Sequence, residues 1–324
     1  MFFISVIVPV YNRQDVIEKC LRGIRESSYK DYELIVVDCA STDKTFLISK
    51  IYADIVIESF HNPERTQARR RGAEASKGQV IVNIDSDVVI KPNTLAIIGD
   101  YFLQHQDVDA LTGCLSKENP WPDFFSQYKN LYMYYNFKRL PENITFLYGS
   151  IYAVKRDAWE GPEFDIKIAD DTALGQRLVS EGRKVVFLKE LEVVHLKKHN
   201  FISFIKNDFL IPFDWAKIFI RYKGWKELGR NNLGFAHASK VQLLSVILAP
   251  AVFILLVIGG FNHFYFLPAL LLSFVWSFLN VRFIKFLTQE RGLVFGCQAF
   301  FITFLDNIIM FSGIVWGMLN YVFK

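Results

Sequence analysis

The chain has 324 residues, 52% hydrophobic and 22% charged, with 18 Gly and 10 Pro, which excludes a disordered or collagen-like polypeptide because apolar area to bury is ample. An ordinary soluble domain is excluded as well: residues 241–324 hold only Arg282, Lys285, Arg291 and Lys324 as bases and Glu290 and Asp306 as acids, while the rest of the 37 basic and 33 acidic residues lie before them. A net charge of +4, evenly mixed over residues 1–240, makes no electrostatic case for nucleic acid, and four scattered cysteines without a CxxC pair make none for zinc or a disulfide framework.

In chain order, residues 1–10 (MFFISVIVPV) lack the basic start and the small-residue cleavage site of a signal peptide, and they read as a buried first strand. Residues 14–27 place Val16, Ile17, Cys20, Leu21 and Ile24 at helical spacing, and residues 33–38 (ELIVVD) read as a second buried strand. Strand, helix, strand implies a parallel pair with a right-handed crossover. A helix at 43–52, a strand at 55–58, a helix at 66–75 and a strand at 79–84 continue the alternation. The pattern is that of a doubly wound, mostly parallel α/β sheet, in which ligands sit at the carboxyl ends of the strands. Asp38 and Asp85 both fall at such ends.

Aspartate at a strand end is also an ordinary turn former, and for Asp38 alone that reading has equal weight. Asp85-Ser86-Asp87 says more, because alternate residues of an extended segment bring two carboxylates within reach of one hard cation.

Five ordered motifs then carry a resemblance over roughly the first 200 residues. They are Val8-Pro9-Val10-Tyr11-Asn12; Val36-Val37-Asp38 with Ser41-Thr42-Asp43-Lys44-Thr45; Ala68-Arg69 with Gly72 and Gly78; Ile84-Asp85-Ser86-Asp87; and Asp170-Asp171-Thr172 with Leu174, Arg177-Leu178 and Gly182. Together they resemble the family 2 inverting glycosyltransferases, whose catalytic domain has the GT-A (Rossmann-like) fold. The resemblance implies that Pro9, Tyr11, Asp38, Arg69 and Asp85 bind a nucleotide-sugar, with Asp38 on the base and Asp85 near the ribose or sugar. It implies that Asp87 ligates a divalent metal, Mn²⁺ or Mg²⁺, on the diphosphate, and that Asp171 is the catalytic base.

The sequence departs from the family pattern at Cys39, Ala40, Arg70 and Asp170, which stand where a second acid, a Gly, an Asn and a Glu are usual. The shorter Asp170 leaves both Asp170 and Asp171 in play as the group facing the acceptor, with Asp171 preferred. The chemistry asks for these types: a nucleoside diphosphate leaves an anomeric carbon when a Lewis acid neutralises its charge and a carboxylate takes the acceptor proton. His195, after an apolar strand, resembles a third metal-ligand position, at even odds with a structural role. Arg70 and Arg71 read as solvated.

From Phe201 the composition changes. Aromatic and aliphatic residues alternate with Lys206, Lys217, Arg221, Lys223 and Lys226, and Pro212 divides the run into two pieces, as expected of amphipathic helices in the headgroup region. Three apolar segments follow at about 241–260, 264–284 and 293–320, the second uncharged through Val281 and the third carrying Asp306. The expected organisation is a GT-A catalytic domain at 1–200, interface helices at 201–240 and a multi-pass transmembrane region at 241–324. Residues 261–263 lack Lys and Arg whereas the next loop holds Arg282, Lys285 and Arg291, so the catalytic domain is expected in the cytoplasm and Lys324 on the far side.

The leading functional reading is metal-dependent, inverting transfer of a sugar, UDP-linked, to a lipid or cell-envelope glycan acceptor at the membrane. A polyprenyl-phosphate glycosyltransferase is the alternative within that class. From other classes come a sugar-nucleotide pyrophosphorylase, against which the absence of glycine in residues 9–15 speaks, and an inactive membrane scaffold.

Overall fold

The computed structural model describes residues 1–59, 65–159, 166, 168–228 and 233–323. They divide into two compact units, one of residues 1–122 and 137–198, the other of residues 123–136 and 199–324.

The first unit is built on an eight-stranded sheet in the order β3-β2-β1-β4-β7-β6-β8-β5. Its strands are β1 (Ile4–Val10), β2 (Tyr32–Asp38), β3 (Ile55–Glu58), β4 (Val80–Ile84), β5 (Val88–Val89), β6 (Ala110–Leu115), β7 (Ile151–Lys155) and β8 (Val185–His195). Helices α1 (Ile17–Arg25), α2 (Thr45–Tyr52), α3 (Arg65–Ala75), α4 (Thr94–Gln104) and α6 (Asp170–Ser180) cover it. Every residue of β1 is buried, as a central strand sandwiched between helix layers requires. Pro9 sits in that strand without breaking a ladder, because the β1–β4 pairing ends at Ile7–Asn83 and Pro9 lies beyond it. On one face Ile7, Ile35, Val37 and Ile81 form a core with Ala68 and Ala73 of α3. Gly72 lets α3 settle onto Ile7, since any Cβ there would collide with that side chain.

The β1–β2, β2–β3, β1–β4 and β6–β8 pairs are parallel, and β7 runs antiparallel to both β4 and β6. The sheet is therefore mixed. The antiparallel strand has a function: pairing Ile84 with Ile151 sets the end of β4 against Tyr148-Gly149-Ser150.

The second unit is helical. It contains α5 (Phe124–Phe137, of which Phe137 belongs to the first unit), α7 (Phe201–Arg221), α8 (Trp225–Leu228), a hairpin of β9 (Leu233–Phe235) and β10 (Ala238–Ser239), and the long helices α9 (Lys240–Gly259), α10 (Phe266–Arg291) and α11 (Leu293–Val322). Pro212 does not divide the aromatic run as the sequence suggested; α7 continues through it, capped by Asn200, whose side chain accepts from the Ser203 N–H. The stretch that becomes α5 carries no distinctive period and was not anticipated, because its partners Phe204, Phe283 and Phe295 lie far along the chain. Among the described residues, three helices are long and apolar enough to cross a membrane: residues 240–259, 263–291 and 293–322. Lys324 lies outside the described residues.

Candidate functional site

The loops after β1 and β2 are laced together by side chains. Asn12 accepts from the Thr42 N–H, Ser41 Oγ accepts from the Asn12 N–H at 2.9 Å, Thr45 Oγ1 from the Arg13 N–H at 2.8 Å, and Asp43 from the Gln14 N–H. Ser41, Thr42, Asp43 and Thr45 thus shape the loop. Ala40 holds φ +62°, a left-handed conformation that favours the absent glycine. Below this loop Asp38 is buried; its Oδ1 accepts the Ser41 N–H at 2.7 Å, and its buried Oδ2 has no hydrogen-bond partner among the described residues. An unsatisfied buried carboxylate oxygen is costly, and it is an acceptor ready for a ligand N–H. Pro9 is buried beside it in the sheet, whereas Tyr11, 44% exposed, stands at the rim.

A second group forms where β5 meets β8. The antiparallel pairing of Val88 with His195, extended by the Leu196 N–H donating to the Asp87 carbonyl at 2.7 Å, brings His195 Nε2 to 3.3 Å from Asp87 Oδ1. Burial pushes the Asp87 carboxyl up, but His195, Lys197 and Arg13 outweigh it and hold the group well below the usual carboxylate range. The pair suits a hard cation. The Asp87 carboxylate is the oxygen ligand that Mn²⁺ or Mg²⁺ prefers, and His195 Nε2 stands beside it as a nitrogen donor. Among the described residues no group of three or more His, Cys, Asp or Glu side chains is placed to hold a metal ion.

The third group is an ion-paired cluster behind the end of β4. Arg69, fully buried, donates through Nη1 to Asp170 Oδ2 at 2.6 Å and through Nη2 to Asp85 Oδ1 at 2.9 Å and the Gly149 carbonyl at 3.2 Å. Arg65 donates to Asp170 Oδ1 at 2.8 Å and to the Ile168 carbonyl at 2.7 Å. Both oxygens of Asp170 are thus held by guanidinium groups. Asp171 differs: Oδ1 accepts the Thr172 N–H at 2.8 Å and Oδ2 accepts the Gly149 N–H.

The charges separate accordingly. Burial raises the Asp170 carboxyl, yet Arg69 and Arg65 overcome it and hold the group below its ordinary value. Burial, reinforced by the Asp170 charge next door, pushes Asp171 up to about 6. Two adjacent carboxyls with divergent proton affinities can divide the labour, one fixed as a counter-ion and one able to take and release a proton near neutral pH.

The structure therefore gathers Arg69, Asp85, Asp170 and Asp171 into one cluster, Asp87 with His195 into another, and places Asp38, Pro9 and Tyr11 at the ends of β1 and β2. Arg65, Gly149 and Lys197 were missed. Arg65 lies one helical turn before Arg69, a spacing that could have revealed it. Gly149 has no local signal; its place is set by the β4–β7 register.

Against known proteins, residues 5–161 match the family described as Glycosyl transferase family 2. Glycosyltransferase GlyA of Streptococcus pneumoniae serotype 4 is 27% identical over 216 residues, 60% of this chain and 31% of the relative. Glycosyltransferase GlyG of the same organism is 30% identical over 115 residues, 34% of this chain and 38% of the relative. The chain thus matches only about a third of the length of these curated relatives. Among solved structures, the mannosyltransferase PcManGT from Pyrobaculum calidifontis, in complex with GDP-Man and Mn²⁺, aligns with a TM-score of 0.57 at 16% identity, covering 99% of this chain and 87% of that one. S. aureus TarS 1-349 in complex with UDP-GlcNAc aligns at 0.51 and 19%, covering 95% and 90%. At such identities the likeness is one of fold.

Proposed function

We propose that the chain, whose residues 5–161 match the glycosyl transferase family 2 model and whose fold is GT-A, is a glycosyltransferase that transfers a sugar from a UDP-linked donor to a hydroxyl of a lipid or cell-envelope glycan acceptor, with inversion. The observation that carries the reading is the contrast between Asp170, clamped by two arginines, and Asp171, which among the described residues is held by backbone N–H groups and is pushed up to about 6. A hydroxyl acceptor needs a base of this kind; a lipid phosphate does not. Asp171 takes the acceptor proton from the face opposite the leaving group. Asp38 Oδ2 accepts the imide N–H of uracil. Arg69 and Arg65 fix Asp170 and Asp85 and so keep the Asp171 carboxyl in register with Gly149.

Asp87 and His195 would hold the divalent metal, which when bound supplies Lewis-acid neutralisation of the diphosphate. Asp87→Ala is expected to weaken UDP binding in Mn²⁺ by at least about tenfold, the loss of one charged ligand being worth more than about 1.4 kcal/mol, and to make the remaining affinity insensitive to EDTA. Titration calorimetry with UDP reads both effects. Unchanged affinity in the variant would remove Asp87 from the metal site.

Gly149 supports the base through its N–H and also through its missing side chain. A Cβ there would lie 2.9 Å from Asp171 Oδ2 and 3.2 Å from Arg69 Nη2. Gly149→Ala is expected to displace the Asp171 carboxylate and lower kcat about tenfold with little change in donor KM, because misplacement affects chemistry before binding. A kcat equal to the parent enzyme's would show that Asp171 is not positioned by this contact.

The long apolar helices attach the enzyme to a membrane. Arg282, Lys285 and Arg291 at one end of the α9–α10 hairpin, against none at 261–263, support a cytoplasmic catalytic domain.

A further inference from the structure

We infer that α11, although long and apolar enough to cross a bilayer, lies along its cytoplasmic surface, so that the described residues cross twice and the end of α11 returns to the side from which α9 enters. The inference rests on the membrane reading above but not on the sugar chemistry.

The path of α11 is fixed by its contacts. It starts beside the end of α10, where Gly296 abuts Thr288. A helix climbing antiparallel to α10 from that point would bring residue 308 level with Trp276 and Gly317 about 30 Å above Thr288, near the tip of the hairpin. Instead Trp276 meets Phe300 and Phe304, at 5.3 and 5.1 Å between ring centroids. Beyond them α11 is held by α5, where Tyr128 Oη lies 3.0 Å from Thr303 Oγ1 and donates to Asp306 Oδ2 at 3.4 Å. The same Tyr128 ring contacts Phe283, near the base of α10.

The second half of α11 then runs parallel to α7. Gly313 lies against the Phe209 carbonyl, and Gly317 against the Phe213 carbonyl and Ala216, a constant offset along both helices that only glycine allows at this distance. That end of α7 belongs to the base of the bundle: Trp215 packs edge-on to His237 at 4.6 Å and Phe219 to Phe235 at 5.1 Å, in the β9–β10 hairpin that leads directly into α9 at Lys240. Gly317 is thus tied to the foot of α9, a full bilayer thickness from where a spanning α11 would put it.

Chemistry agrees with this path. A partner helix bearing Lys206, Asp208, Asp214, Lys217 and Arg221 cannot accompany α11 through hydrocarbon. Asp306 would sit near the bilayer centre in a spanning helix, whereas at the surface it joins a polar layer in which Lys129 pairs with Asp208 at 2.5 Å. The exposed residues Val294, Phe301, Val315, Trp316, Leu319 and Val322 form one apolar stripe that faces acyl chains while the small and polar stripe faces protein. Above Trp276 the hairpin stands clear, with Phe253, Ile254, Leu256, Val257 and Ile258 of α9 exposed in near succession, as they would not be beneath a third span.

The test introduces one cysteine at a time into the full chain in a Cys297→Ser background, the three retained cysteines being buried. Phe261→Cys, Gln289→Cys and Phe323→Cys are labelled with a membrane-impermeant maleimide in vesicles of defined orientation. Residue 323 is expected to label with 289 and opposite 261. Labelling of 323 with 261 would overturn the inference; labelling of 261 with 289 would overturn the membrane-crossing hairpin itself. Nitroxide depth at Phe301→Cys and Val315→Cys gives an independent reading: equal, shallow depths are expected, and residue 315 on the far leaflet would overturn it.

Discussion

Asp171→Asn is expected to lower turnover by about 10²- to 10⁴-fold, the usual worth of a general base, while leaving donor affinity near normal. The substitution keeps size and shape and removes the proton acceptor. It also loses one of two acceptors for the Gly149 and Thr172 N–H groups, which costs stability, and removes a carboxylate that burial disfavours, which restores some. These effects oppose, so the melting temperature should move by no more than about 4 °C. The parent enzyme adds a pH signature. A base whose proton affinity has risen from 3.8 to about 6 is protonated, and idle, below that value, so kcat/KM should fall tenfold per pH unit on the acid side of about 6 and level off above it. The sign for stability is opposite: the folded state holds this proton more tightly than the unfolded chain, so the contribution of Asp171 favours folding at low pH and is lost as pH rises through about 6. Loss of turnover in Asp170→Asn but not in Asp171→Asn would transfer the role to Asp170.

The second large effect is on stability. Arg69 is 0% exposed and is shared by Asp85 and Asp170. Arg69→Met fills similar volume but leaves the fully buried Asp170 with Arg65 alone, and breaking a buried ion pair from one side typically costs about 3–5 kcal/mol. Thermal unfolding of the full chain should show the first unit melting lower by more than about 6 °C. Arg70→Ala is the control: its pair with Glu74 is exposed on both sides, and the expected change is within about 0.5 kcal/mol. Equal melting temperatures for the two variants would mean that the cluster is not what holds β4, α3 and α6 together.

How much of this was legible in the sequence depends on the range of the interaction that fixes each part. The alternation of apolar strands and amphipathic helices through residue 84 is local, and the strands of the first half of the sheet appear where the period places them. Asp38, Asp85 and Asp87 stand at strand ends and are readable for that reason. The antiparallel insertion of β7 is not local, and with it went Gly149, which acts by facing Asp171 across the fold. The sequence reading prefers Asp171 over Asp170, but the feature that distinguishes the two, the clamping of Asp170 by Arg65 and Arg69, lies on another helix and no two-residue motif reports it. In the helical unit, length and hydropathy nominate α11 as a span, while its direction depends on packing against α7 and α5, which no window of residues reports. Pro212 likewise suggests a break that neighbouring packing overrides.

The most direct test of the account is a transfer assay on the detergent-solubilised full chain, supplied with a panel of nucleotide-sugars, Mn²⁺ and extracted membrane lipids, in which released nucleoside diphosphate and lipid mass gain are measured together. A uridine donor is expected to be consumed, release of UDP to match the mass gained by a hydroxyl-bearing lipid or glycan, and both to stop in EDTA and fall by at least about 10² in Asp171→Asn. Undiminished transfer in Asp171→Asn and Asp87→Ala alike, or a panel won by a cytidine or adenine donor, would contradict it.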